Sequence, residues 1–456
     1  MKLILRLIIL TAFISLKCAF TYGQQVKSVK PSVEIKDEAD EDGEMFIDVK
    51  AKAKNSIFDK TSTINYKVSV RSTYKIKQTG NFTYVVTTED GKKVFERTSK
   101  FDIGRNGSQS VAVSIPPREP GFYKLAIQLN LTAYDDTVRK VFGVAPEKIV
   151  AKQYKPADFD AFWQRSKTML GNIKPQYKIT YNARLSTNDI KVYLVEMQSW
   201  GNATIRGWLS IPQRRPKRLP VRYRVPGYLV AMTPSFTEDD FAVFQINVRG
   251  NGNSKDAITT RGQQYNYINI EDKESYVYRA VYLDCLRGLD FICDSAKRFG
   301  LDTSRISIDG GSQGGCLAIV VAALDKRIKA VTTEVPLYSD FRNASRIARL
   351  SPPKGETPVW LLNNFVEKHP GFTYEKLYQV WDYFDPINFA PMVKVPVLMG
   401  IGLLDDLCPP GCSMAMYNQI ACKDKEVWIS ADKAHEVDPI YYRFQYVWLR
   451  EHLLLP

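Results

Sequence analysis

Residues 307–324 read SIDGGSQGGCLAIVVAAL: a strand-like start, glycine pairs on both sides of a Ser-Gln dipeptide, and then an unbroken apolar run. The segment RISID predicts a strand and CLAIVVAAL predicts a helix. Gly310-Gly311-Ser312-Gln313-Gly314 therefore falls on a strand-to-helix turn and fits the G-x-S-x-G pattern of a nucleophile elbow. A bend that sharp forces its serine into a strained backbone conformation, and neighbours without a Cβ let strand and helix close up and lift the hydroxyl clear. The helix start also aims backbone N–H groups at any negative charge forming above it. The bare pattern arises by chance in roughly one chain of this length in ten at ordinary glycine and serine usage. The flanking strand and helix are what make it specific.

Outward from the bend, apolar strand candidates FAVFQINV, IKAVTTEVP, VPVLMGIG and KEVWISA alternate with helical stretches such as YRAVYLDCLRGLDFICDSA, up to a final helix near the C-terminus. Such alternation predicts an α/β domain with a mostly parallel sheet covered on both faces. A hairpin precedes it, VYLVEMQSW and IRGWLSIPQ around the turn GNAT. Before the hairpin, KPADFDAFWQRSK offers Pro156 for a first helical turn, with Phe159, Phe162 and Trp163 at helical spacing.

Residues 33–144 follow another period. YKLAIQLNL places Tyr123, Leu125, Ile127, Leu129 and Leu131 on one face, and VAVSI repeats the alternation with Val111, Val113 and Ile115. Turn signals around Gly91, Gly107 and Gly121 separate the runs. This pattern predicts an immunoglobulin-like β-sandwich at 24–148, followed by the α/β domain at 149–456. A chain of 456 residues exceeds the usual size of one core. The sandwich reads either as a packing module or, more sharply, as a carbohydrate-binding one.

The first residues carry Lys2 and Arg6 around an apolar run, then small residues near Gly23, and predict a signal peptide at 1–23 and a secreted or periplasmic protein. Lys17 interrupts the run too early for a membrane span. Lipid anchoring at Cys18 would prefer a small residue where Lys17 stands. The formal charge of +14 becomes +11 without Lys2, Arg6 and Lys17, which favours contact with anionic surfaces. Apart from RRPKR at Arg214–Arg218, read as a solvated loop, the basic residues are scattered and no nucleic-acid module is present. The six cysteines beyond Cys18 read as buried thiols, with CPPGC (Cys408, Cys412) as the one pair close enough for a local disulfide. A zinc site would need more ligands than three histidines offer, so no metal or cofactor is expected.

A serine at its ordinary pKa needs a base. His435, in SADKAHEVD just after a strand candidate, is placed for that work, whereas His369 reads as surface and His452 lies in the last helix. An acid must hold the imidazole, and VPVLMGIGLLDD ends in Asp405 and Asp406 at a strand terminus. Asp405 is the expected acid, and Asp406 is expected to cap the segment that follows. The order Ser312, Asp405, His435 is that of an α/β-hydrolase. Oxyanion donors are expected from the backbone N–H of Gln313 and from the loop of VRYRVPGYLV, at Tyr228 beside Gly227.

KPADFDAFW, RGNGNS, YRAVYLDCLRGLDFICD, GGSQGG, YFDPINFAPMVKVPVLMGIGLLDDLCPP and HE, from about Tyr154 onward, resemble in order and spacing the acetyl xylan esterase and cephalosporin C deacetylase family of carbohydrate esterases. The resemblance implies the α/β-hydrolase fold, the triad Ser312-Asp405-His435, donors at Gln313 and Tyr228, supporting roles for Arg249, Gly250 and Glu436, and removal of acetyl groups from sugar hydroxyls. It also implies a homo-oligomer, the family's compact hexamer, an assembly that the additional β domain could block or reshape. Two departures stand out. The family's Arg-Gly-Gln reads Arg249-Gly250-Asn251 here, and RYRVPGY replaces an apolar strand ending His-Gly-Tyr, so that Arg222 and Arg224 alternate along a strand that should be covered on both faces.

The expected function is therefore a serine esterase acting through an acyl-enzyme on acetylated xylan or oligosaccharides. Two alternatives stand beside it: a prolyl-oligopeptidase-type amide hydrolase with the same triad, and an inactive carbohydrate-binding or adhesion protein. The elbow weighs against the last, since without catalysis nothing calls for a strained serine.

Overall fold

The computed structural model describes residues 43–214, 218–236, 240–353 and 355–454. The predicted signal peptide, Cys18 and residues 215–217 of the basic cluster lie outside the described residues. The described residues form one compact unit.

Its largest sheet has nine strands, in the order Lys425–Ser430, Val397–Gly402, Ala330–Glu334, Leu301–Gly311, Leu219–Arg224, Ala242–Asn247, Thr204–Pro212, Ile190–Gln198 and Lys178–Tyr181. The first six run parallel, and the hairpin with its neighbour closes one edge antiparallel. Central strands Ala242–Asn247 and Val397–Gly402 are buried at every position, as coverage on both faces requires. Successive side chains enter different cores. Ala242, Phe244, Val397 and Met399 join the main cluster with helices Val277–Asp294 and Gln313–Leu324, while Val243, Ala330 and Leu398 pack under Tyr441, Trp448 and Leu449 of helix Pro439–His452. Gln313–Leu324 is apolar all round and buried along nearly its whole length.

Two further sheets precede this one, antiparallel except where the short strand Ile57–Phe58 runs parallel to its neighbour. Three strands, Met45–Ala51, Ile64–Ser72 and Ser108–Ile115, form the first; Ile57–Phe58, Tyr134–Val144, Gly121–Leu131, Gln78–Thr88 and Lys93–Ile103 form the second. Leu125, Ile127 and Leu129 share one apolar cluster with Val113 and Ile115 of the other sheet, along the faces that the sequence alternation marks.

Pro156 lies outside the helix it was expected to open. The helix spans Phe159–Gly171, and the Pro156 carbonyl instead accepts from Phe159 N at 3.1 Å in the turn before it. Phe159, Phe162 and Trp163 are buried as the spacing requires. Among the described residues no helix is long and apolar enough to cross a membrane.

Candidate active site

The bend after Leu301–Gly311 puts Ser312 at φ 57°, ψ −122°, a conformation that a residue with a Cβ adopts only under strain. Backbone bonds hold it there: Ser312 N donates to Glu334 O at 2.9 Å, and Leu337 N donates to Ser312 O at 3.0 Å. Strand and helix touch so closely that a Cβ on Gly310 would lie 2.6 Å from the Gly314 backbone, and one on Gly314 would lie 2.5 Å from Val225 O. Gly311 is different. A Cβ there would meet only Glu334 at 3.8 Å, so the turn does not depend on that glycine.

Under the bend, Asp309 resolves the odd RYR pattern. Arg222 Nε reaches Asp309 Oδ1 at 2.8 Å and Arg224 Nε reaches Asp309 Oδ2 at 3.0 Å, so both arginines on one strand pair with a carboxylate on the next. Arg222 also donates to Gln445 Oε1 at 2.8 Å. Burial opposes ionisation of Asp309, yet the two guanidiniums hold its carboxyl below the usual range. Alternating arginines are tolerated inside a covered sheet because they are paired there.

Asp405 and His435 come together. The first follows Val397–Gly402, the second follows its neighbour Lys425–Ser430, and His435 Nδ1 lies 2.8 Å from Asp405 Oδ2. The other oxygen, Oδ1, accepts from Leu407 N at 2.9 Å and Cys408 N at 2.8 Å, so the carboxylate cannot swing. The two loops are tied to each other through Leu403 N to Ser430 O and Leu404 N to Lys433 O. A Cβ on Gly402 would sit 2.0 Å from Ala434 O, so the histidine loop crosses directly over that glycine. Asp405 is almost wholly buried, and the His435 side chain is 30% exposed. Because the strands are parallel, Ser312, Asp405 and His435 all stand at the sheet's carboxyl edge. Among the described residues no hydrogen bond joins Ser312 Oγ to His435, and in substrate-free sites such bonds often tighten only on binding.

Asp406 does not cap the following segment. Asp405 takes that role with Oδ1, and Asp406 pairs with Lys124 at 2.9 Å. Glu436 is exposed and bonded to Lys433 at 3.0 Å. The other histidines are occupied locally: His369 Nδ1 bonds to Phe365 O and His452 Nδ1 to Trp448 O, each ring stacked on the aromatic it bonds beside.

The loop carrying Gly227 and Tyr228 lies against the elbow. Gln313, buried at the helix start, donates from Nε2 to Pro226 O and Gly227 O at 3.4 Å, and its Oε1 accepts from Tyr278 OH at 2.7 Å. Asn251, the departure from the family's glutamine, donates from Nδ2 to Gly227 O at 3.1 Å and Val230 O at 3.0 Å, the carbonyls on either side of Tyr228. The shorter side chain still tethers this loop. Arg249 is buried against Asp284, 2.8 Å from Nε and 2.7 Å from Nη2, and Gly250 turns at φ 83° beneath the Tyr265 ring. Sequence patterning gave no signal for Asp284 or Tyr278, because one acid or phenol in a helix could face anywhere.

Ligand atoms of Asp405, Cys408 and His435 lie within 4.8 Å of one another, a spacing that can hold a metal ion. The donor chemistry suits it poorly: both Asp405 oxygens are engaged, and burial pushes the Cys408 thiol far above its ordinary pKa, favouring S–H over the thiolate that binds zinc. Cys408 and Cys412 are free thiols rather than a disulfide. A groove of about 1100 Å³ lined by Tyr154, Lys273, His369, Lys376 and Tyr383 includes none of Ser312, Asp405 and His435.

A family model for acetyl xylan esterase (AXE1) matches residues 147–452. The acetyl esterase Axe7A of Xylanibacter ruminicola is 24% identical over 382 residues, 81% of this chain and 83% of its own. That stretch is longer than 147–452, so it takes in part of the N-terminal β region. Among solved structures, the acetyl xylan esterase from Paenibacillus sp. R4 aligns with a TM-score of 0.60 at 29% identity, over 67% of this chain and 98% of that one. Acetyl xylan esterase 1 from Thermoanaerobacterium sp. JW/SL YS485 aligns with a TM-score of 0.59 at 22% identity, over 67% and 97%, and shares the fold. By its match over residues 147–452 and its parallel sheet with an elbow at Ser312, the chain belongs to the acetyl xylan esterase (AXE1) family and is a carboxylic ester hydrolase of the α/β-hydrolase fold.

Proposed function

We propose that the protein removes acetyl groups from acetylated xylan or xylo-oligosaccharides through a Ser312-His435-Asp405 triad. The observation that carries this reading is a strained serine on a strand-to-helix bend, with a bonded imidazole and carboxylate on the ends of neighbouring parallel strands at the same edge. Ser312 Oγ attacks the acetyl carbonyl carbon while His435 Nε2 takes its proton; the sugar oxygen leaves with that proton, and the acetyl group remains on Ser312. Water then attacks the acyl carbon, giving its proton to His435 and freeing acetate as the serine hydroxyl is restored. Asp405, bonded to Nδ1, fixes the tautomer and supports the imidazolium. The N–H groups of Gln313 and Tyr228 would hold the oxyanion, a role favoured by the bonds that press their two segments together.

The same reading takes residues 24–148 as an immunoglobulin-like sandwich and residues 1–23 as a leader that directs the enzyme out of the cytoplasm to its polymer. Acetate release from acetylated xylo-oligosaccharides by the purified chain tests the proposal. Release that disappears in Ser312→Ala is the expected result. Cleavage of proline-containing peptides without acetate release would move the chemistry to amide bonds instead.

A further inference from the structure

The loops that carry Asp405 and His435 are held from outside the parallel sheet as well as from within it. Lys124, in strand Gly121–Leu131, places Nζ 2.9 Å from Asp406 Oδ1, one residue beyond Asp405. Lys140, in the adjoining strand Tyr134–Val144, places Nζ 2.5 Å from Asp432 Oδ1, three residues before His435. Glu89, just past strand Gln78–Thr88, accepts from Gly411 N at 3.0 Å, in the first turn of helix Pro410–Gln419 into which the acid loop runs. Beside it, Asp90 pairs with Arg346. One crevice is walled jointly by Glu89, Lys124 and Val141 from the β region and by Leu403, Asp405 and Asp406 from the acid loop.

These attachments come from consecutive strands of one sheet. Leu125 faces Lys140 across one ladder, and Lys124 faces Thr87 across the next, so backbone pairing fixes the spacing of the three side chains before they reach the loops. Partly exposed ion pairs contribute little to stability. Rate is far more sensitive to where groups stand, since a displacement of about 1 Å can cost about 10²-fold.

We infer that Lys124, Lys140 and Glu89 are positioning residues, and that the N-terminal β region is part of the scaffold setting Asp405 against His435. The inference rests on the proposed roles of that pair. The test uses the full chain with Lys124→Ala and Lys140→Ala combined. Turnover of p-nitrophenyl acetate is expected to fall about tenfold in kcat, counted per site titrated with a fluorophosphonate, with KM within about twofold and most of kcat restored by the double arginine variant. Unchanged kcat per titrated site overturns the inference while leaving the esterase reading intact. Hydrogen exchange at 403–412 and 431–437 gives a readout independent of activity: faster exchange in the double alanine variant is expected, and unchanged exchange overturns the inference even for an inactive wild type. An inactive wild type whose loops do loosen in the variant refutes the functional reading instead. Should the double variant fail to fold, Glu89→Ala against Glu89→Gln, which keeps an acceptor for Gly411 N, asks the same question at 403–412.

Discussion

The parallel sheet and the N-terminal β region handle charge in opposite ways. In and around the parallel sheet charged side chains are taken inside and paired, Arg222 with Asp309 beneath the elbow and Arg249 with Asp284 near the loop of Gly227 and Tyr228. The β region keeps an apolar interior and spends its charges at the rim, where Lys124 and Lys140 reach to the loops of the other sheet. A buried pair is rigid because losing one partner strands the other in a medium that cannot solvate it. An exposed pair contributes little to stability, so removing it can release a loop without unfolding the fold.

The first way to break this contrast is at the bend the buried charges support. Ser312→Ala should lower kcat on a short acyl ester by about 10⁴-fold or more; a variant retaining a tenth of wild-type turnover would take Ser312 out of the chemistry. Asp405→Asn should cost about 10³- to 10⁴-fold, because the amide can hold the wrong imidazole tautomer without changing the shape of the loop. Steady-state rates beside an unchanged unfolding midpoint would separate that effect from misfolding. Arg222→Ala probes the buried charge itself. It leaves Asp309 inside with Arg224 alone, and denaturant unfolding should register a loss of about 3–5 kcal/mol, whereas a loss below about 1 kcal/mol would match a surface pair.

The smallest effect belongs to the junction. Burial, with Asp90 and Asp340 nearby, raises the Glu89 carboxyl to about 7 against the pull of Gly411 N and Lys124, and burial raises Asp340 to about 6. A carboxyl raised in this way binds its proton more tightly in the folded state. Its stabilisation is complete below its ordinary value near 4.5 and is lost as pH climbs through about 7. The melting temperature should therefore decline between about pH 5 and pH 8, and Glu89→Gln should flatten the upper part of that decline. An identical slope in the variant would assign the pH dependence to other groups.

Much of this was legible in the chain. Strand and helix periods placed Ser312, Asp405 and His435 at element ends, since alternation and apolar runs are local properties that survive folding. Other readings failed where the deciding contact was remote. Asp406 looked like a cap because adjacent residues are all a sequence displays, yet Lys124, nearly three hundred positions earlier, claims it. Arg222 and Arg224 looked misplaced until Asp309 appeared opposite them, and Asn251 looked like a lost support until its amide met the carbonyls flanking Tyr228.

By itself the sequence determined the local chemistry: a serine on a glycine-lined turn, one histidine and one acid at strand ends, and two regions of different period. Backbone sterics and side-chain alternation act over a few residues, so they can be read without coordinates. Only the tertiary structure decided which charges pair, how Asp405 meets His435, and which strands of the β region touch the loops of the site. Those outcomes depend on distances between residues remote along the chain, and they exist only once the sheets have packed.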